Sequence, residues 1–394
     1  MAKELAHFKN FAKLKDTKVA FNDITVIAGK PGTGKSYVMK FMYAIDEIFS
    51  KKNTGSLLPY VARSDLKFLR MAINILVKNK DDETSLINYL NNNNFTEFHQ
   101  LIKSKLTEEN MNLLKDSILR LEDYHRMDDN TKMSSGLINL LNSIFSNTNQ
   151  IAKEFVVKNN FFETSIDGNE IYWKDKAVLN SQEPIFVETP LILEFKKFMK
   201  REEGKTPYHI ESLLNILDTD YSFTDEKQKD FIVSFVERSK EIIQGDIHSD
   251  GDSFSFEKNG KTYDIINASS GTKSIGLLQY LVTNKALKKG SVLYWEEPEV
   301  HLHPEWQLRM IELFIELMNA GVKIVFSTHS PYMCDYLNAM SQKKGNDFSD
   351  RVSFNLFEEK DGIVENHILE SQEDWNKIQA ELLDPLEEIM WEYI

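Results

Sequence analysis

One short segment of the chain has the residue types and the spacing that phosphate binding requires. It consists of Gly29, Lys30, Pro31, Gly32, Thr33, Gly34, Lys35 and Ser36. This order matches the pattern G-x-x-x-x-G-K-S/T, and we call the segment the P-loop. Its glycines permit positive φ angles and carry no side chain, so successive backbone N–H groups can surround a di- or triphosphate. Lys35 would contact the β- and γ-phosphates, and the Ser36 hydroxyl would bind Mg²⁺.

The residues on either side of the P-loop predict a strand before it and a helix after it. Ile24 to Ala28 is a short apolar run rich in β-branched residues, and Tyr37 to Ile48 has apolar residues at helical spacing. Strand, loop and helix thus follow in the order that places a bound anion at a helix N-terminus. Tyr37, the first residue after the P-loop, is included among the expected nucleotide contacts.

Two neighbouring carboxylates stand at the end of a second predicted strand, late in the chain. Ser291 to Trp295 is mostly apolar, and Glu296 and Glu297 follow it directly. Successive side chains on a strand point to opposite faces, so the two carboxylates have different roles unless the backbone turns between them. We assign Glu296 to Mg²⁺, with water between them, and Glu297 to the water that attacks the γ-phosphate.

A histidine ends a third predicted strand. The run from Val322 to Thr328 is followed by His329, whose ring could reach a γ-phosphate. Pro331 disfavours the helical conformation at Ser330, which holds His329 in an extended turn at the tip of the strand. A lone histidine is usually a hydrogen-bonded structural residue, but its position directly after this strand favours a functional role.

These motifs occur in an order that resembles ABC-type ATPases. The order is the P-loop, then Ser269, Ser270 and Gly271 at the start of a helix, then residues 296–304, and finally residues 327–331. We call Ser269, Ser270 and Gly271 the signature segment. More narrowly, the chain is similar to the branch that contains the SMC-like and RecF-like repair ATPases and the overcoming-lysogenization-defect (OLD) family of phage-defence ATPases. The resemblance covers the first fifty residues and residues 250–366.

The resemblance implies an α/β fold of the ABC-type P-loop ATPase head, with a mixed central sheet, flanking helices, an antiparallel β subdomain and a compact helical insertion. It also implies a homodimer in which two heads pair head to tail around two ATP molecules; a higher oligomer stays open. The signature segment of one chain would then complete the γ-phosphate site of the other. In this arrangement Glu297 is the catalytic base, His329 is the switch histidine, and the cofactors are ATP and Mg²⁺.

Three departures from the family's pattern stand out. Glu296 replaces the usual aspartate, the signature segment reads Ser-Ser-Gly rather than Ser-Gly-Gly, and residues 30–32 stand where an asparagine is common. None excludes hydrolysis, although looser positioning of Mg²⁺ by the longer side chain would make turnover slow. For the Q-loop glutamine, a metal ligand of the family, the candidate is Gln182. His301 and His303 have no further ligands at suitable spacing, so we expect no metal site there.

The pattern changes along the chain predict three parts. They are an ATPase head (residues 1–52 and 154–366), a helical insertion (residues 53–153) and an acidic helical tail (residues 367–394). The insertion has no sustained heptad repeat, so it is compact, and it serves either as a docking surface or as a stabilising decoration. The tail either packs on its own domain or binds a partner. Hairpins are expected at residues 154–173, 253–266 and 352–368.

Composition restricts the classes of protein to be considered. The chain has 394 residues, of which 41% are hydrophobic, so it can bury a large core. Its single cysteine, Cys334, and the lack of an 18-residue apolar stretch or a signal peptide predict a cytoplasmic protein without a membrane span. The formal charge of −14 argues against a broad nucleic-acid surface. Lys196, Lys197 and Arg201 form a local basic cluster that leaves DNA contact open as a hypothesis.

The preferred function is an ATP-gated ATPase that regulates a separately encoded effector, a nuclease or another toxin, in phage defence or a toxin–antitoxin system. This preference comes from the resemblance, because an acidic OLD-like head without a long arm resembles the ATPase component of a two-protein operon. The alternative is a RecF-like DNA-repair ATPase that binds DNA ends or junctions. A ring-forming AAA+ remodeller ranks last, because it would leave the signature segment and His329 without a role.

Overall fold

Apolar runs of the sequence form strands of one large sheet, and amphipathic runs form helices on its two faces. The computed structural model describes residues 4–53, 57, 63–91, 94–145, 151, 154–167, 170–175, 183–198, 206–219, 221, 226–370, 374–378 and 380–382. The strands are β1 (Glu4–Phe11), β2 (Leu14–Phe21), β3 (Ile24–Gly29), β4 (Glu154–Lys158), β5 (Phe162–Asp167), β6 (Glu170–Asp175), β7 (Ile185–Val187), β8 (Asp246–Ser249), β9 (Phe254–Lys258), β10 (Lys261–Asp264), β11 (Val292–Glu296), β12 (Lys323–Thr328), β13 (Val352–Lys360) and β14 (Ile363–Ile368). The helices are α1 (Lys35–Asn53), α2 (Arg63–Leu76), α3 (Lys80–Asn91), α4 (Phe95–Lys105), α5 (Glu108–Arg126), α6 (Asp129–Phe145), α7 (Ile192–Phe195), α8 (Tyr208–Asp218), α9 (Glu226–Ile243), α10 (Ser270–Thr283), α11 (Pro304–Asn319), α12 (Pro331–Lys344) and α13 (Asn346–Ser349).

The central sheet is mixed, and in the described residues it has eleven strands in the order β6-β5-β4-β1-β2-β14-β13-β3-β12-β11-β7. Strand β3, which leads into the P-loop, runs parallel to both β13 and β12. Strand β12 in turn runs parallel to β11, and β11 to the edge strand β7. The carboxyl ends of these strands therefore meet at one edge of the sheet, which is where ligands bind in open α/β sheets. A separate antiparallel sheet contains β8, β9 and β10. The mixed central sheet, its flanking helices and this antiparallel sheet together confirm the expected fold class.

The core lies on both faces of the central sheet. On β11, Leu293 and Trp295 belong to a buried cluster shared with helices α8 to α12. Val292 and Tyr294 face the other way, into a cluster shared with α1 and α6. A strand that is buried on both faces has a continuous apolar sequence, which explains why β11 could be predicted from the sequence.

The helices between the P-loop helix and β4 divide into two groups. Helices α2 to α5 have a buried cluster of their own, which consists of Leu66, Leu69, Ile73, Val77, Leu86, Leu90, Phe98, Ile102, Leu114, Ile118 and Leu121. Helix α6 instead contributes to the cluster around α1. The helical character predicted for this stretch is present, and the domain boundaries at residues 53 and 153 stay a prediction.

Two of the three expected hairpins form with the predicted strands and turns, and the third has an additional strand. Asn259 and Gly260 join β9 to β10 with φ of 52° and 71°, and Asp361 and Gly362 join β13 to β14 with φ of 51° and 78°. Positive φ at both central residues is typical of two-residue hairpin turns that match the twist of the strands. In the region 154–173, β5 and β6 pair antiparallel with Asp167 opposite Glu170, so the expected hairpin is present. The region also has one strand more than expected, because β4 pairs with β5 on its other side.

The described part of the C-terminal tail packs on its own domain. Trp375 and Ile378 are buried, and the Trp375 ring lies 5.0 Å from that of Phe354 on β13. The Trp375 indole N–H also donates to Asp335 Oδ1 at 3.1 Å. Residues 371–373, 379 and 383–394 of the predicted tail lie outside the described residues. In the part of the chain that the structure describes, no helix combines the length and the apolar character needed to cross a membrane.

Candidate nucleotide-binding site

The backbone of the P-loop takes conformations that glycine alone adopts easily. Strand β3 ends at Gly29, whose φ is 137°, and a Cβ atom there would lie 2.2 Å from the carbonyl oxygen of Phe357. Gly32 and Gly34 have φ of 79° and 86°, and helix α1 begins directly after them at Lys35. The loop therefore turns between strand and helix without side chains that would block a phosphate.

Lys35 lies within the P-loop rather than on the protein surface. Its side chain is buried, and its ammonium group donates to the carbonyl oxygens of Gly29 and Lys30, at 2.8 Å each. Burial lowers the pKa of Lys35 to about 8, and the negative charge of Glu297 opposes this shift. A cation is thus held where the β- and γ-phosphates are expected.

The backbone turns between Glu296 and Glu297, which settles how the two carboxylates differ. Glu296 is the last residue of β11, whereas Glu297 has a φ of 46° and donates its N–H to the Ser327 carbonyl at 3.1 Å. The side chain of Glu296 is 12% exposed and that of Glu297 is 43% exposed. The first carboxylate therefore lies in the protein interior, and the second faces the space above the sheet edge.

Glu297 and His329, each predicted as a site residue, lie side by side. Strands β11 and β12 are in register, with Glu296 opposite Ser327, so the residues that follow each strand are neighbours. Nε2 of His329 lies 2.9 Å from Oε1 of Glu297. Burial and the nearby charge of Lys35 lower the pKa of His329. The imidazole is therefore neutral at pH 7 and donates its Nε2–H to the Glu297 carboxylate.

Glu299 is a site residue that the sequence reasoning did not identify. Its Oε1 accepts a hydrogen bond from the backbone N–H of His329 at 2.6 Å. Burial raises the pKa of Glu299. Its place after Glu-Glu-Pro, in a turn next to the predicted base, was the available signal. Glu299 fixes the turn that carries the His329 ring.

One cavity of about 510 Å³ brings eight of the predicted residues together. It is lined by Ala12, Lys13, Pro31, Gly32, Gly34, Lys35, Ser36, Tyr37, Ile151, Glu297 and His329. Its volume lies within the roughly 300–1,000 Å³ that small-molecule sites occupy. Ala12, Lys13 and Ile151 were not predicted, because nothing in their local sequence indicates that they would lie beside the P-loop. Thr33 is buried under the loop, where its hydroxyl donates to the Lys30 carbonyl at 2.9 Å.

Ser36 and Glu296 fit the side of the site where Mg²⁺ is expected. Ser36 is close enough to Glu296 to lower the pKa of its carboxyl. Burial raises the pKa of Glu296 to about 7, while Lys40 opposes the shift. Within the described residues, Oε1 of Glu296 is buried and accepts no hydrogen bond. A hard cation with oxygen ligands would satisfy such an oxygen, so the residues present suit Mg²⁺.

Lys40 and Glu188 extend this side of the site, and neither was predicted. Lys40 lies one helical turn after Ser36, and its Nζ is 2.7 Å from Glu188 Oε1 and 3.9 Å from Glu296 Oε1. Glu188 directly follows β7, the neighbour of β11, and its Oε2 lies 2.9 Å from Nε2 of His209. The hydrogen bond from His209, followed by that from Lys40, lowers the pKa of Glu188 to about 2.

Gln182 lies outside the described residues, so its assignment to the metal stays a prediction. At the end of the strand beside β11, the described structure places the carboxylate of Glu188.

The signature segment starts a helix at the protein surface, as expected. Ser269 is the N-cap of α10, and its hydroxyl accepts from the N–H of Thr272 at 3.1 Å. A Cβ at Gly271 would lie 3.3 Å from both the His301 carbonyl oxygen and the Trp306 ring. Gly271 thus packs against the segment that leads away from Glu297. Among the described residues that line the P-loop cavity, none comes from the signature segment of the same chain.

The other residues singled out in the sequence make contacts within the fold, away from the P-loop cavity. His303 is the N-cap of α11, and its Nδ1 accepts from the N–H of Glu305 at 3.3 Å. Cys334 is buried in α12, in keeping with a packing role. The Lys196 ammonium is buried and lies 2.6 Å from Asp218 Oδ1, so this residue is not available to DNA. Lys197 pairs with Asp264 at 2.9 Å. Arg201 lies outside the described residues.

Comparison with known proteins gives a family and distant structural likenesses. The family described as AAA ATPase domain matches residues 6–334. No curated protein matches the sequence significantly. An SMC head bound to the C-terminal winged-helix domain of ScpA is similar at a TM-score of 0.47 and 12% identity, over 95% of this chain and 100% of that one. The SMC head domain from Thermotoga maritima has a TM-score of 0.42 and 12% identity, over 94% and 100%. An ATP-binding cassette of an ABC transporter, in its ADP conformation, has a TM-score of 0.36 and 12% identity, over 97% and 96%.

Proposed function

Because the chain belongs to the AAA ATPase domain family and is an ATPase, we propose that it hydrolyses ATP with Glu297 as the general base, in a head-to-tail pair of chains. The observation that carries this proposal is the Glu297–His329 pair, 2.9 Å apart, in the same cavity as Lys35 and Ser36. A base must lie within hydrogen-bond reach of the water that it deprotonates, and a half-exposed carboxylate at the cavity wall meets that condition.

Each residue of the cavity has a distinct task in this mechanism. Backbone N–H groups of the P-loop and the Lys35 ammonium hold the phosphates, and Lys35 exchanges its contacts with the P-loop carbonyls for phosphate oxygens. Glu297 accepts a proton from the attacking water. The neutral His329 ring orients the Glu297 carboxylate, and Glu299 holds the His329 backbone in place.

Ser36 and Glu296 would hold Mg²⁺, with Glu188 and Lys40 behind them. The ion supplies charge neutralisation for the β- and γ-phosphates. Lys40 adds a resident positive charge between the two carboxylates of this region, so it limits the electrostatic cost of burying Glu296 beside Glu188.

The position of the signature segment supports pairing of two chains. Ser269 is exposed at the N-terminus of a fourteen-residue helix, whose free N–H groups and dipole favour an anion. The cavity of the same chain does not include this helix start. A second chain, placed head to tail, would bring its signature segment to the γ-phosphate and leave each site incomplete without the other.

Complementation between two inactive chains tests the pairing. Lys35→Ala removes nucleotide binding but keeps the signature segment, and Ser270→Arg blocks the signature segment but keeps the P-loop. Each variant alone is expected to be inactive. A 1:1 mixture should recover roughly a quarter of the wild-type rate, because half of the random pairs are mixed and each mixed pair has one complete site. Thr262→Arg, on the exposed strand β10, is the control and should be active. A Ser270→Arg chain that hydrolyses ATP alone at the wild-type rate would rule out the shared site.

The biological part of the proposal is that ATP occupancy gates a separately encoded effector in phage defence or a toxin–antitoxin system, as the resemblance to the OLD branch implies. The RecF-like alternative loses part of its basis, since Lys196 is buried against Asp218. The ring-forming remodeller gives no role to the contact between Glu297 and His329 or to the surface position of Ser269.

Infection assays on the host operon test this role. Cells that carry the operon with the wild-type gene should resist phage, and cells with Lys35→Ala or Glu297→Gln should not. Deletion of the neighbouring effector gene should remove protection even when the ATPase is intact. If plaque formation is the same with wild type and Lys35→Ala, ATP does not gate a defence response.

A further inference from the structure

We propose that the chain has a second ligand site, for a nucleoside phosphate, in the cavity between helices α4 and α5. This inference is independent of the proposed catalytic mechanism, because it concerns another cavity. The cavity has a volume of about 400 Å³ and none of its lining residues belongs to the P-loop site. It lies in the group of helices that has its own buried cluster, apart from both faces of the central sheet.

Two helices form this cavity because a short turn folds them back on each other. Helix α4 ends at Lys105 and helix α5 begins at Glu108. At the opposite end of the hairpin, the rings of Phe95 and His125 lie 5.7 Å apart. Along α4, residues 95, 99 and 103 share one face because they are four positions apart. The same face therefore offers an aromatic ring, an imidazole and an ammonium group to one space.

The charges that line the cavity favour an anion. Among the described residues that line it, the one carboxylate is Glu122, which lies 2.9 Å from Nδ1 of His99 and 4.0 Å from the Arg126 guanidinium. Lys103 and the remaining N–H groups of Arg126 are exposed at the rim. Two cations against one satisfied carboxylate form a positive region on a chain whose net charge is −14. Guanidinium and ammonium groups at such a rim bind phosphate oxygens through charge-assisted hydrogen bonds.

The neutral groups of the cavity indicate that the anion carries an aromatic base. The Phe95 ring is half-buried and meets His125 at an angle of 61°, which leaves ring surface for a planar group. Thr96 and Gln100, on the neighbouring row of α4, add a hydroxyl and an amide that hydrogen-bond base or ribose edges. The volume is within the range of small-molecule sites, about 300–1,000 Å³, and suits one nucleotide.

Binding stoichiometry distinguishes this site from the P-loop. Equilibrium dialysis with labelled ATP should give two molecules per wild-type chain. It should give one for Lys35→Ala, one for the double variant Lys103→Glu and Arg126→Glu, and none for the triple variant. The double variant Lys78→Glu and Lys115→Glu makes the same change of charge at exposed positions of the α2–α3 loop and of α5, outside the cavity, and it should still bind two. Circular dichroism and melting curves verify that each variant is folded.

Competition in the Lys35→Ala background identifies the chemistry that is recognised. AMP should displace ATP from the remaining site, whereas adenosine should compete at least about tenfold more weakly because the cations lose their partner. Phe95→Ala should weaken AMP and leave inorganic pyrophosphate unchanged. Equal displacement by pyrophosphate and AMP, with no effect of Phe95→Ala, would show a phosphate site without base recognition and would contradict the proposal. A single saturable site in the wild type would overturn the proposal of a second site, and so would two sites in the double variant Lys103→Glu and Arg126→Glu. Two sites in Lys35→Ala would instead contradict the P-loop assignment.

Discussion

The P-loop and the Glu297–His329 pair line the same cavity, but the chain builds them in different ways. The P-loop is eight consecutive residues between a strand and a helix, and its geometry follows from glycines and from the start of α1. The pair joins residues that are 32 positions apart, at the ends of two neighbouring strands. Its 2.9 Å contact depends on the register of β11 against β12 and on the turn at Glu297.

This difference separates binding from catalysis. Phosphate binding rests on local backbone geometry, which tolerates small movements of the sheet. The base and its histidine depend on the alignment of β11, β12 and the Glu299 side chain. Changes in the sheet should therefore reduce the rate of hydrolysis before they reduce the affinity for ATP.

The largest effect is expected when the base is removed without a change of shape. Glu297→Gln should lower kcat by about 10²–10⁴-fold, since a positioned general base contributes that much, and should leave ATP affinity nearly unchanged. Steady-state hydrolysis and ATP binding by dialysis measure the two quantities. Glu305→Gln, an exposed position in the first turn of α11, is the matched control and should keep the parental rate. Parental hydrolysis by Glu297→Gln would show that the base lies elsewhere.

The P-loop also makes tertiary contacts, and a substitution at Gly29 tests how far its structure depends on them. Gly29→Ala places a Cβ 2.2 Å from the Phe357 carbonyl at a φ of 137°. The free energy of unfolding should fall by about 2–6 kcal/mol, from backbone strain and overpacking together. Gly362→Ala has a positive φ but no neighbour within 4 Å, so its loss should be about 1–2 kcal/mol. Urea unfolding compares them, and equal losses would mean that the Phe357 contact is unimportant.

Glu299 should affect the pair and spare the P-loop. Glu299→Ala removes the acceptor of the His329 N–H, and the resulting displacement of the ring should lower kcat by about 10–100-fold. Glu299→Gln keeps an acceptor oxygen of the same reach and should recover most of the rate. If Glu299 had only a structural role, both variants would melt at a lower temperature and the folded fraction of each would have the same kcat. That result would contradict the assignment.

The smallest effect is expected at the hydrogen bond that joins β11 to the P-loop helix α1. The Tyr294 hydroxyl on β11 donates to Asp46 Oδ2 on α1 at 2.6 Å. Burial raises the pKa of Asp46 from 3.8 to about 6, and the Tyr294 hydrogen bond opposes that shift. Because its folded-state pKa is raised, the contribution of Asp46 to stability is greatest at low pH and is lost as pH rises through the range from 3.8 to about 6.

Tyr294→Phe should therefore be more harmful at high pH, where the buried carboxylate is ionised. We expect a loss of about 1–2 kcal/mol in the free energy of unfolding at pH 8 and a smaller loss at pH 5. Melting curves at both pH values measure it. Tyr336→Phe, which removes a 2.7 Å bond to the less buried Glu312, is the comparison and should not share this dependence. A loss from Tyr294→Phe that is larger at pH 5 would mean that the Tyr294 hydrogen bond raises the pKa of Asp46 instead of lowering it.

The reach of sequence reasoning differed among the site residues for physical reasons. Lys35 and Ser36 belong to a contiguous motif, and Glu297 and His329 follow strands whose burial on both faces gives long apolar runs. Lys40, Glu188 and His209 carry no such signal, because each lies in an ordinary helix or loop and gains its role only from the others. Ile151 follows a run of polar residues in the sequence, and only the fold of the chain brings it to the cavity.

The sequence by itself determined the phosphate-binding loop, the strand–loop–helix order around it, and the residues that follow β11 and β12, because these depend on neighbours along the chain. The tertiary structure alone decided that β7 lies beside β11, that Glu188 and Lys40 therefore stand behind Glu296, and that Glu299 holds the backbone of His329. The physical reason is that local conformation follows from nearby residues, whereas the pairing of charges across strands depends on which strands become neighbours.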